Sequence, residues 1–192
     1  MKVKLNNVRL SFANALFEPQ QVQGVGDPKF SGSFLFPPDH PAVKEIKKAM
    51  EEAAKDKWGA KAGDVYKALK AGDKLCLHDG DAKTEYEGYA GNMFVNASNK
   101  IRPLVINTDK SPLTAADGIP YSGCYVNAVI DVWAQDNKFG KRINASLQGV
   151  QYLRDGDRLS GAGVASEDDF EAIPEAQGES LDEGADAGNV FD

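Results

Sequence analysis

GCYVNAVIDVW at residues 123–133, followed by KRINASLQGVQYL at residues 141–153, decides how this chain folds. In the first run Cys124, Val126, Ala128, Ile130 and Val132 share one parity, the period-2 pattern of a strand with one face on a core. Tyr125, Asn127, Asp131 and Trp133 take the other. In the second run Ile143, Ala145, Leu147 and Leu153 oppose Arg142, Asn144, Ser146, Gln148 and Tyr152. The polar link AQDNKFG between them ends on Gly140, so the pair reads as a long antiparallel hairpin. Its open face combines large rings with polar groups, and its tip carries Lys138, Phe139, Lys141 and Arg142. A sheet bearing exposed rings and cations points to single-stranded nucleic acid.

Outward from the hairpin, further strands follow. Residues 2–12 alternate with a parity switch between Leu5 and Val8, so Asn6 and Asn7 are expected to hold a bulge that bends the strand, as closing a small barrel requires. Phe30, Phe34 and Phe36 share a face of the next strand. Pro37-Pro38 ends it, and Asp39 with Pro41 starts a helix whose inner face is Val43, Ile46, Met50, Ala53, Ala54 and Trp58, closed by Gly59. The outer face interleaves Lys and Glu, the mark of a solvated surface. A shorter helix over 64–71 stops at Gly72, and Leu75 to Leu77 form a brief strand. In 89–98, Met93, Val95 and Ala97 face inward. Phe94 is left alone among Asn92, Asn96 and Ser98, as a base-stacking ring would be; the alternative is contact with the loop above it. Lys100 and Arg102 precede a short apolar strand over 103–107. A long loop over 108–122 delivers Tyr121 to the hairpin, and the residues after Leu153 read as a turn and linker.

Charge divides the chain. It has 192 residues, with 22 Lys and Arg against 29 Asp and Glu. Ten of the acidic residues lie in 164–192, which hold no Lys or Arg, so the remaining body is net +3 and the tail net −10. The tail has too few apolar residues to fold alone and is expected to be disordered. The expected division is a domain over 1–160 and an acidic arm over 161–192, the arm carrying Asp186, Val190, Phe191 and Asp192 near its end.

The alternating N-terminus lacks the continuous apolar run of a secretion signal, and no stretch approaches the ~18 apolar residues of a membrane span. Cys76 and Cys124 show no metal-ligand spacing and read as reduced and structural, in a cytoplasmic setting. No cofactor and no metal is implied. His78, Asp79 and Asp81 are where a histidine and two carboxylates cluster. They support the rival reading of a metal-dependent nuclease or other DNA-processing enzyme, although Asp-Gly-Asp is also ordinary turn chemistry. No nucleophile with its base and no Gly-rich phosphate loop accompanies them.

Together these features describe a mainly β chain, an OB-type Greek-key barrel with an inserted helix. LFEP at residues 16–19, YSGCYVNAVI at 121–130, LQGVQYLRDGDRLSG at 147–161 and the acidic tail make the chain resemble phage-encoded single-stranded DNA-binding proteins. The likeness runs over most of 2–161 and covers the helical insert loosely. It implies binding of single strands without sequence preference, in the cytoplasm of the host cell, during replication, recombination or repair. It also implies a tail that competes with DNA for the basic groove and recruits partners such as a polymerase. Tails of that family commonly end on an aromatic residue, whereas here Asp192 follows Phe191. The oligomeric state is left open, with a homodimer among the options. Phe94, Tyr125 and Trp133 are the expected stacking residues, seconded by Tyr121 and Phe139. Lys100, Arg102, Lys138, Lys141 and Arg142 are the expected phosphate contacts. For Tyr125 and Trp133 the alternative is packing against the helical insert.

Overall fold

A computed structural model describes residues 1–22 and 25–159. The acidic arm, with Asp186, Val190, Phe191 and Asp192, lies outside the described residues. In chain order the elements are β1 (Lys2–Ser11), β2 (Gln20–Val22), β3 (Val25–Phe36), α1 (Pro41–Trp58), α2 (Ala62–Ala71), β4 (Leu77–Asp79), β5 (Met93–Asn99), β6 (Leu104–Ile106), β7 (Tyr125–Asn137) and β8 (Gly140–Arg154). The strands form one sheet in the order β4-β5-β3-β1-β7-β8-β6, with β2 paired to β3.

The five long strands close into an OB-type barrel. β1 lies between β3 and β7, so β7, β1, β3 and β5 stand side by side in the 4-1-2-3 order of a Greek key. β5 then meets β8 at the far side, where Asn99 Nδ2 donates to the Leu147 carbonyl at 3.1 Å. Closure needs bent strands, and three bulges supply the bend. The first sits between Leu5 and Val8, where Asn7 has φ 52°, as the parity switch in the sequence requires. The other two are on β8, at Gln148 and at Leu153. They correct the uniform alternation expected of this strand: beyond Gln148 the parity flips, so Val150 and Tyr152 pack on the core.

The core is the barrel interior, with Leu5, Val8, Leu10, Phe34, Val95, Val126, Ile130, Val132 and Leu147 all inaccessible. Helix α1 presents Ile46 and Met50 to the same core, so the insert plugs the barrel as part of one hydrophobic unit. Its N-cap is His40, whose Nδ1 accepts from Ala42 N at 3.1 Å, where Asp39 was expected; Pro41 takes the first turn and Gly59 the C-cap. Helix α2 runs two residues earlier than expected and stops at Gly72. Among the described residues no helix is long and apolar enough to cross a membrane.

Two further departures concern loops. The hairpin tip is only Lys138-Phe139, because β7 and β8 stay paired out to Asn137 and Gly140, with Gly140 at φ 97°. The residues after β8 are no loose turn. Arg9 donates to the Asp157 carbonyl at 2.7 Å and Leu159 N to the Ser122 carbonyl at 3.0 Å, binding 154–159 against the start of β7. Gly123, at φ +107°, makes room for this strap: a Cβ there would stand 2.0 Å from the Asp157 carbonyl oxygen.

Candidate nucleic-acid interface

Where β5 and β8 meet, the outward-facing side chains line an open groove of about 610 Å³. The period-2 geometry places them there: Asn96 and Ser98 on β5, Arg142, Asn144 and Ser146 on β8, and Trp133 on β7 opposite Asn144. Trp133 is 41% exposed, and its Nε1 donates to Ser146 Oγ at 2.9 Å. The wall is cationic, with Lys29, Lys74, Lys100 and Arg142. Lys100 is ion-paired with Asp27, whose carboxyl is held below the usual carboxylate range by the Lys100 hydrogen bond and then by its charge. Amide and hydroxyl groups on the floor with one open indole suit a flat, polar-edged ligand, and the cations suit its phosphates.

The residues expected from the sequence divide among five places. Trp133, Lys100 and Arg142 meet in this groove. Phe94 does not, which corrects the expectation that it is an open platform. It is 2% exposed, in a small cluster with Leu35 and Tyr89 on the outer face of the sheet, stacked 5.1 Å from the His78 ring. The loop over 80–92 covers it, with Tyr89 OH donating to Ser33 Oγ at 2.9 Å.

Tyr121 and Tyr125 pack against the strap. The Arg154 guanidinium carbon lies 3.6 Å from the Tyr125 ring centre and that of Arg158 4.3 Å from the Tyr121 ring. Tyr121 and Tyr152 both donate to Asp155 Oδ1, at 2.8 and 2.9 Å, and these bonds hold the Asp155 carboxyl below its ordinary range. Tyr125 is thus capped by an arginine and not by the helical insert.

At the hairpin tip Phe139 is 78% exposed with Lys138 Nζ 5.1 Å from its ring. Lys141 turns the other way, pairing with Asp136, which also accepts from Trp58 Nε1 at 2.9 Å. That cation is spent on joining the helical insert to the hairpin. Arg102 is exposed and outside the groove lining. Asn96 on β5 and Asn144 on β8, with Lys29 on β3 and Lys74 before β4, escaped the sequence reading because nothing in their spacing shows that β5 and β8 become neighbours; Asn99 and Leu147, which join them, are 48 positions apart.

The His78 cluster is occupied by local chemistry. Asp79 Oδ1 accepts from Asp81 N at 3.0 Å and Asp81 Oδ1 from Gly91 N at 2.7 Å, while His78 Nδ1 lies 2.8 Å from Asp73 Oδ1. Both carboxylates are turn caps that hold the 80–92 loop. Among the described residues no group of three or more His, Cys, Asp or Glu could hold a metal ion. Burial pushes the Cys76 thiol up to about 12 and the Cys124 thiol to about 11, so neither is a nucleophile at neutral pH.

Comparison with known proteins identifies relatives of the whole chain. The chain is 50% identical over 186 residues to putative protein p50 of Acyrthosiphon pisum secondary endosymbiont phage 1, covering 94% of this chain and 98% of that one. It superposes with a TM-score of 0.68 and 33% identity on the single-stranded DNA-binding protein of bacteriophage Enc34 in complex with single-stranded DNA, over 82% of this chain and 88% of that one. The fold alone is shared with gp2.5, a single-stranded DNA-binding protein encoded by bacteriophage T7, at a TM-score of 0.50 and 12% identity, over 90% and 98% of the two chains. Residues 1–181 match the family model described as Enterobacter phage Enc34 single-stranded DNA-binding protein, and the chain belongs to that family.

Proposed function

We propose that this chain holds single-stranded DNA without sequence preference in the groove between β5 and β8, during phage replication, recombination or repair. The observation that carries the reading is the exposed Trp133 indole on a floor of Asn and Ser side chains, flanked by Lys29, Lys74, Lys100 and Arg142. A base stacks on the indole and the lysines and arginine neutralise phosphates, so affinity tolerates any base. Phe139 and Lys138 at the tip, and Tyr121 and Tyr125 under their arginines, lie outside the groove lining and take secondary parts at most.

The acidic arm beyond residue 160 has the charge to compete for these cations: the body carries only +3 against its −10. Such an arm, with the apolar pair Val190-Phe191 among its acidic residues, also suits recruitment of a replication partner such as a polymerase. A fluorescent oligonucleotide titrated as single strand and as duplex, at about 50 and about 200 mM salt with magnesium or manganese present, tests the reading. Single strands retained intact, and duplex bound more weakly, are expected. Equal binding of both forms, or cleavage of either, would overturn it. A chain ending near Gly163 should bind single strands more tightly at low salt; unchanged affinity would remove the competitive role of the arm.

A further inference from the structure

A second aromatic pair stands exposed away from the groove. Phe12 is 49% and Tyr86 38% exposed, and their rings meet edge to face at 5.5 Å. Lys83 Nζ lies 5.9 Å from the Tyr86 ring centre. Phe12 is held out at a cost. Its backbone is left-handed, φ 59° and ψ 43°, a region that a bulky side chain disfavours and that glycine or asparagine accepts readily. The turn that imposes this is fixed on both sides, Ala15 N donating to the Phe12 carbonyl at 3.2 Å and Ala13 N to Ser122 Oγ at 3.0 Å. Stability alone would favour a smaller residue at this position.

The pair is also connected to the groove. From Phe12 the rings of Tyr86, Tyr89, Phe94 and His78 follow one another, each centre within 5.6 Å of the last. His78 is itself a wall of the groove. Across the sheet the order is the same: groove on β8 and β5, the 80–92 loop over β5 and β3, then Phe12 just beyond β1.

We propose that Phe12 and Tyr86 form a second stacking platform for the same single strand, engaged by nucleotides that run out of the β5–β8 groove across the 80–92 loop. The assignment rests on the groove being the primary site. Lys83 is the cation beside it, so the platform adds stacking more than charge neutralisation, and its contribution survives salt that weakens the groove.

The test uses the full chain with oligothymidylates from about 4 to about 16 nucleotides, the range of site sizes known for this fold. Phe12→Gly and Tyr86→Ala are expected to leave short oligonucleotides bound as in the unsubstituted protein and to weaken the longer ones by at least about fivefold each, at low and high salt alike. Phe12→Gly should keep or raise Tm, because glycine relieves the left-handed backbone. The inference fails if both variants bind every length as before, or if they weaken all lengths equally. Trp133→Ala separates it from the primary reading. If that variant weakens all lengths while Phe12→Gly and Tyr86→Ala change none, the groove stands and the platform falls. If the unsubstituted chain binds no length, the groove itself is wrong.

Discussion

Trp133 Nε1 and Ser146 Oγ, on neighbouring strands of the long hairpin, are joined by a 2.9 Å hydrogen bond that anchors the one exposed indole in the groove. The bond restricts the ring before any ligand arrives, so less side-chain entropy is lost on binding. Trp133→Ala is expected to weaken single-stranded DNA binding by about 1–3 kcal/mol with little change in Tm, since the residue is 41% exposed. Trp58, bonded to Asp136 beneath the hairpin, should not respond to DNA. Quenching by an oligonucleotide should therefore persist in Trp58→Phe and vanish in Trp133→Phe; the reverse pattern would place the DNA on the helical side.

Charge in the groove makes a separable prediction. Four cations line it, and each phosphate contact on a single strand contributes about −0.7 to the slope of log K against log salt. With Lys100 neutralised by Asp27, a slope near roughly −2 is expected, falling in magnitude by about 0.7 in Arg142→Ala. Asp27 already occupies Lys100, so Asp27→Asn should tighten binding at low salt and steepen the slope. Lys141→Ala, which removes the partner of Asp136, should leave the slope unchanged and lower Tm slightly.

Phe94 distinguishes packing from recognition. At 2% exposed, against Leu35, Tyr89 and His78, it holds the 80–92 loop to the outer face of the sheet. Phe94→Ala should cost about 3–5 kcal/mol of stability, read from denaturant unfolding. Among the molecules still folded, the affinity for short oligonucleotides that fill only the groove should be close to that of the unsubstituted protein. A large affinity loss at unchanged Tm would mean the ring is reached by DNA after all.

The contrast between Phe94 and Trp133 shows how far the sequence carries. Parity places both rings on the outside of the barrel, and both are there, because alternation along a strand is a local property. Whether an outward ring is open depends on what a distant segment lays over it, here a loop pinned by Asp79 and Asp81, residues whose turn chemistry was legible but whose target was not. The bulge at Asn7 was readable because a parity switch records it; those at Gln148 and Leu153 were masked by apolar residues on both parities. Phe12 escaped for another reason: it continues the inward parity of β1, and only its own left-handed backbone after Ser11 throws it outward.

The strap is open to a pH test through its tyrosines. Tyr152 is pushed up to about 12, by burial first and then by its hydrogen bond to Asp155 and the charge of that carboxylate, and Tyr121 is raised with burial leading. Raised values mean the folded chain favours the neutral phenols. Their stabilising contribution is therefore complete below the ordinary tyrosine range, near about 10, and is lost as pH rises through about 12. Tyrosinate absorbance should show Tyr121 and Tyr152 titrating above the ordinary tyrosine range. In Asp155→Ala both should titrate earlier, though Tyr152 should stay above the ordinary value because burial is the larger cause. The same substitution removes the acceptor of two hydroxyls, so alkaline unfolding should begin at lower pH and residues 154–159 should exchange their amides faster. Unchanged tyrosine titration in Asp155→Ala would show that the carboxylate does not hold the strap.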